Sequence, residues 1–253
     1  MTTDKANFRK LDSREIVATI EALNRRIEAR FPGSGLSRVT GDLLSVGEET
    51  VTRMRWIQKP HILLRLAAAI LSDAIVALII FMVSQVHQFK FDDYTNFIQA
   101  LEASISSVVF IGAAILFFVS WENRIKRRRA LSALHELRAL AHIVDMHQLT
   151  KDPESYFSPA KTSGSAKKRM SPFELNRYLD YCSESLALIS KIAALYIQEL
   201  QDPVLLDAVD DMEDLTAGLS RKIWQKITIL ETLGARSATS VSGTVPLVAQ
   251  ITQ

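Results

Sequence analysis

Two stretches of the chain are apolar around the whole circumference of a helix, while the segments flanking them are apolar on one face only. Residues 62–86 read ILLRLAAAILSDAIVALIIFMVSQV, and residues 103–121 read ASISSVVFIGAAILFFVSW. Each reaches about the 20 residues that a helix needs to cross roughly 30 Å of hydrocarbon. Backbone removed from water must close its own hydrogen bonds, which makes these stretches helices. A core helix of a water-soluble domain keeps a polar face, and Ala74 to Val83 has none. The pattern predicts two membrane spans.

Outside the spans, apolar residues recur at helical spacing. Ile16, Ile20, Leu23 and Ile27 make one stripe on a helix predicted for 12–30. Asp12 and Ser13 are its caps and Glu15 its first-turn acid, and Pro32-Gly33-Ser34-Gly35 ends it. A second helix is predicted for 42–58, broken by Lys59-Pro60. After residue 121 no glycine or proline intervenes before Pro153, so the second span is expected to continue as one helix with Leu134, Leu137, Ala141 and Val144 on its apolar face. Residues 150–171, rich in proline, serine and lysine, read as a mobile linker. Ser171-Pro172-Phe173-Glu174 opens the next helix: serine caps, proline takes the first turn, and the glutamate reaches back. Its apolar seam of Leu175, Leu179, Cys182, Leu186, Ile189, Ala193, Tyr196 and Leu200 alternates by four and three, as in a heptad repeat. Asp202-Pro203 stops it and starts a last helix carrying Leu205, Val209, Met212, Leu219, Ile223 and Leu230, up to Gly234. Two long helices joined so tightly lie antiparallel.

The expected fold is all-α. A helical arm (1–60) leads to a transmembrane hairpin (61–121), then to an antiparallel helical bundle (122–233) and a disordered tail (234–253).

Charge orients the hairpin. Arg53, Arg55, Lys59 and Arg65 cluster before and at the very start of the first span; Arg124, Lys126, Arg127, Arg128 and Arg129 follow the second; the stretch between holds Lys90 against Asp92, Asp93 and Glu102. Basic residues stay on the cytoplasmic side, so both termini are expected there, with Trp56 and Trp121 at the inner boundary. Beside an apolar span, the run from Arg124 to Arg129 reads as an anchor for lipid headgroups, and nucleic acid is not an expected partner. Met1 to Lys10 lacks the apolar core of a secretory signal. Overall composition adds little: 253 residues, formal net charge +2 and mean hydropathy +0.10. The one cysteine, Cys182, excludes an intramolecular disulfide and a multi-cysteine metal site.

Three features carry candidate chemistry. Asp73 lies inside the first span, where an ionised carboxylate costs about 2.5–3.5 kcal/mol. It shares a small-residue face with Ala69 and Ala77, and the second span has its own such face through Ser106, Ser107, Gly112, Ala113 and Ala114. Helix packing or self-association is one reading; an ion or proton path, which two spans alone do not enclose, is the other. The second feature is a polar stripe, His135, Arg138, His142 and Asp145, on a helix otherwise largely apolar, expected to face inward; His147 lies off it. The third is an acidic stripe on the last helix, Asp207, Asp211 and Asp214. A divalent-metal site from His135, His142, Asp145 and Asp211 would be hydrolytic, while an ion-pair network fixing helix register is the plainer account. There is no HExxH pair, Gly-rich phosphate loop, GxSxG elbow or Cys/His nucleophile arrangement, and neither an enzyme nor a resident cofactor is expected.

ALHELRALAHIVDMHQLTKDPE, followed by SPFELNRYLDYCSE, resembles a group of uncharacterised bacterial two-span inner-membrane proteins with a cytoplasmic helical domain. The likeness spans roughly residues 121–230 and implies a bacterial inner membrane, without an activity. The two-span layout alone also looks like the small effector domains of bacterial defence systems. The leading functional expectation is a membrane-anchored interaction or scaffold module, self-associating or docking a cytoplasmic partner. An oligomeric ion-conducting or membrane-disrupting protein is the alternative, and a metal-dependent enzyme or metal sensor the third.

Overall fold

The computed structural model describes residues 10–58, 94–151, 153 and 170–242, with ten positions between 66 and 84. Its elements are α1 (Ser13–Arg30), α2 (Gly35–Gln58), α3 (Tyr94–Leu149), α4 (Pro172–Glu199) and α5 (Pro203–Ser242). Among the described residues there is no strand, so the chain is all-α. It divides into two compact units, one of residues 1–54 with 131–253 and one of residues 55–130.

In the first unit, the caps that the sequence announces form as hydrogen bonds. Asp12 Oδ1 accepts from the Arg14 amide at 2.8 Å. At α4 the Ser171 amide donates to Glu174 Oε2 at 2.7 Å and the Glu174 amide donates to Ser171 Oγ at 3.2 Å, a complete capping box. Asp202 Oδ1 accepts from the amides of Val204 and Leu205 at the start of α5. Each satisfies backbone donors that a helix N-terminus leaves open.

The core is built around α4. Seven of its seam positions, Leu175 to Tyr196, are buried, and so are Tyr178, Tyr181, Ser185, Leu188, Ile192 and Leu195. A helix buried on more than one face needs neighbours on more than one side, and α1 and α5 both pack along it. From α1 come Ile16, Ile20, Leu23 and Ile27; from α5 come Leu205, Val209, Met212, Leu219, Ile223, Ile227 and Leu230. Phe31, just past α1, sets its ring edge-on to Tyr178 at 5.5 Å and to Tyr181 at 6.3 Å.

Two boundaries differ from the pattern. α2 begins at Gly35 rather than 42, because Leu36, Val39 and Leu43 already bury an apolar face and Ser34 Oγ accepts from the Ser37 amide as a cap. Gly33, at φ +64°, supplies the left-handed turn between α1 and α2. At the other end, α5 runs past Gly234 to Ser242, so the first nine residues of the expected tail are helical. One glycine costs a helix about 1 kcal/mol, too little to stop it when alanine and arginine follow. Residues 243–253, and most of the linker at 150–171, lie outside the described residues.

Residues 105–149 belong to a helix, α3, whose most apolar window has a mean hydropathy of 1.9 and buries nothing. Val108, Val109, Phe110, Leu116 and Phe117 are each more than half exposed, Phe110 at 76%. Among the described residues, this is the one helix long and apolar enough to cross a membrane. The stretch at 62–86 lies largely outside the described residues; its ten described positions are helical.

Glycines separate tight from open places on α2. A Cβ at Gly47 meets Ile20 Cδ1 at 3.3 Å, Val17 Cγ2 at 3.4 Å and Ile192 Cδ1 at 3.9 Å, whereas one at Gly41 meets nothing. Gly47→Leu is therefore expected to destabilise by about 1–3 kcal/mol through overpacking, and Gly41→Ala to stabilise by about 0.5–1 kcal/mol through backbone entropy. Thermal unfolding of the full chain in detergent, followed by circular dichroism, checks both signs.

Candidate functional site

Helix α3 sends its apolar stripe inward and most of its polar stripe outward. Leu134, Leu137, Ala141 and Val144 are buried, while His135 and His142 are exposed. This corrects the inward orientation expected from the sequence. The apolar residues of the helix suffice to make the buried face, and an imidazole left in water needs no internal partner. Arg138 does reach the acidic stripe, but its Nη2 lies 3.6 Å from Asp211 Oδ2 with both side chains well exposed, a pairing worth at most a fraction of a kcal/mol to about 1 kcal/mol. Asp207 and Asp214 are exposed. Asp145 turns to its own helix, accepting from Gln148 Nε2 at 2.6 Å. Among the described residues, no three His, Cys, Asp or Glu side chains form a metal-holding group, so His135, His142, Asp145 and Asp211 are not gathered into one.

A polar network that the sequence did not signal ties α2, α3 and α4 together instead. Thr50 Oγ1 donates to the Val46 carbonyl at 2.7 Å. The same Thr50 Oγ1 lies 3.2 Å from the buried Tyr196 hydroxyl, close enough for a hydrogen bond between the two hydroxyls. Arg53 lies near the same tyrosine, and its two Nη atoms reach Glu136 at 3.0 Å and Glu49 at 2.7 Å. Burial, followed by weaker opposing contributions from Thr50 and Arg53, raises the Tyr196 hydroxyl above its ordinary range. Tyr196 was legible as a seam residue, and its hydroxyl was the missed clue, since a buried tyrosine normally finds a polar partner.

His147, off the polar stripe, packs on the backbone of α2: a Cβ at Gly35 would overlap its imidazole ring. One turn of α3 is closed from α5, where Lys226 Nζ donates to the Gln148 carbonyl at 2.9 Å, a favourable place for a cation near a helix C-terminus.

The basic run in the second unit is not uniform. Arg129 sits over the Trp56 ring at 3.9 Å. Lys126 pairs with Glu122 at 2.8 Å, with side chains only 11% and 13% exposed, and Arg127 is engaged as well. Arg124 and Arg128 have no hydrogen bond or ion pair among the described residues and, with Trp121 and Ile125, line a groove of about 330 Å³. Asp73 is helical and exposed, as are Ala69 and Ala77 on its face.

No protein family matches this chain, and no curated protein or solved structure is detectably similar to it. The site is therefore read from its own chemistry.

Tyr196→Phe is expected to lower stability by about 0.5–1.5 kcal/mol by removing the shared hydroxyl, while His142→Ala stays within about 0.5 kcal/mol of the parent; paired thermal melts test the contrast. A pH dependence follows from the core. Burial pushes the Cys182 thiol up from 9.0 to about 12, against a smaller downward pull from Lys226 and Lys151, and raises Tyr178 and Tyr196. These groups keep protons that the unfolded chain releases, so their contribution is complete below about pH 9 and is lost as pH rises toward 12. The melting temperature is expected to fall across that window, and less steeply in Cys182→Ala.

Proposed function

We propose that this chain is a membrane-anchored helical interaction module. Its spans at 62–86 and 103–121 form a hairpin in a bacterial inner membrane, both termini lie on the cytoplasmic side, and the helical bundle associates with a second copy or docks a cytoplasmic partner. One observation carries the reading: the middle of α3 exposes large apolar side chains around its circumference, while the first unit has a filled core of its own. The clustering of arginine and lysine at 53–65 and 124–129, against three acids and one lysine at 90–102, supports the orientation. The cation–π stack of Arg129 on Trp56 supports an interfacial position for that level of the helix.

For the bundle, Trp224 supports docking. It is 60% exposed on α5, and tryptophan is the residue type most often found anchoring an interface. The exposed Asp73 favours the second reading, an oligomeric conducting or membrane-disrupting assembly, because a carboxylate facing lipid is costly until another chain or a water-filled path covers it.

Two measurements on the full chain separate these. Membranes washed with alkaline carbonate are expected to retain the protein, and a photo-crosslinking residue in place of Trp224 is expected to give a discrete adduct of either twice the chain mass or a defined heteromer. A protein released by carbonate contradicts the anchor; absence of any adduct, with a monomer in detergent, contradicts the interaction role. Ion flux in vesicles that disappears in Asp73→Asn would move the conducting assembly to first place.

A further inference from the structure

The five cations between residues 124 and 129 differ in what occupies them. Lys126 is held by Glu122 at 2.8 Å and Arg129 by the Trp56 ring at 3.9 Å, and Arg127 has a partner too. Arg124 and Arg128 remain, both exposed and without a hydrogen bond or ion pair among the described residues. They stand one helical turn apart, a spacing that puts both guanidinium groups on one face of α3. Trp121 and Ile125 share that face by the same spacing, and the four side chains line a single groove of about 330 Å³. It sits directly after the apolar stretch that ends at Trp121.

We infer that this groove is a site for one anionic phospholipid, with Arg124 and Arg128 on its phosphate and Trp121 and Ile125 against its glycerol and first acyl carbons. The inference rests on the membrane reading above. The guanidinium fork matches the oxygen spacing of a phosphate and binds it by paired, charge-assisted hydrogen bonds. Among the described residues no carboxylate lines the groove, and two cations without an ion pair favour a headgroup of net negative charge over one that carries its own ammonium. The amphipathic indole of Trp121 suits the boundary between phosphate and acyl chain. The remaining cations of the run already have partners, so the site is distinct from a diffuse positive collar.

The test uses the full chain in nonionic detergent, with quenching of tryptophan emission by brominated phosphatidylglycerol as the readout. Saturable quenching is expected, with weak quenching by brominated phosphatidylcholine and no displacement by millimolar inorganic phosphate. Arg124→Gln with Arg128→Gln should weaken the phosphatidylglycerol response by about tenfold or more. Lys126→Gln with Arg129→Gln removes the same charge and should leave it nearly unchanged. The Arg124→Lys, Arg128→Lys pair keeps both charges without the fork and should fall between parent and glutamine pair; it also serves if the glutamine pair loses helicity. Equal losses in the two glutamine pairs would replace the site with non-specific attraction, and a lysine pair binding like the parent would remove the role of the fork. Equal response to phosphatidylcholine would overturn the headgroup selection, and displacement by inorganic phosphate would reassign the groove to a soluble anion. Carbonate extraction keeps the two readings apart: a retained protein without selective binding loses the site alone, whereas a released protein loses the membrane reading beneath it.

Discussion

Large apolar side chains on all sides of a helix have no favourable arrangement in water. Val108, Val109, Phe110, Leu116 and Phe117 are together exposed on α3, and covering each is worth roughly 1.5–3 kcal/mol. Their sum is comparable to the whole net stability of a typical domain, about 5–15 kcal/mol. A protein partner covers one face of a helix, whereas these residues point to several, which is why a surrounding hydrocarbon phase is preferred as their environment. The backbone meets the same condition. α3 is one unbroken helix from Tyr94 to Leu149, so its peptide groups are satisfied internally wherever lipid replaces water.

The first unit obeys the ordinary rules of a helical bundle. α4 is covered on more than one face by α1 and α5, and the buried hydroxyls of the unit are paired. Thr216 and Ser185 donate back to their own helices, while Tyr196 and Thr50 satisfy each other across helices. The Arg53 network then adds direction rather than bulk: a hydroxyl, a guanidinium and two carboxylates match in one register of α2, α3 and α4, and a shifted register would strand the tyrosine hydroxyl in the core. Surface pairs such as Arg26 with Glu184, at 2.5 Å, join α1 to α4 with less consequence because they remain in water.

Much of this was legible because it is local. Asp12, Asp202 and the Ser171-Pro172-Phe173-Glu174 start signal helix ends within four residues, and the α4 and α5 seams repeat at fixed spacing. What was not legible depends on residues far apart in sequence. The start of α2 was hidden by Gly35 and Gly41, whose low helix propensity is overridden by burial of Leu36, Val39 and Leu43. The outward direction of His135 and His142 follows from how much apolar surface the neighbouring helices supply, which no single helix reveals. The Arg53–Tyr196 contact joins positions more than a hundred residues apart, and the distinction between engaged and unengaged arginines at 124–129 depends on Trp56 and on the pairing of Lys126.

The most direct test of the anchored-hairpin account is cysteine accessibility in intact cells, in a Cys182→Ala background that removes the native thiol. Thr95→Cys, between the proposed spans, is predicted to react with a membrane-impermeant maleimide from outside the inner membrane, and Ser237→Cys to react only after that membrane is opened. Labelling of both positions without opening, or the reverse order, would contradict a hairpin with its termini and bundle on the cytoplasmic side.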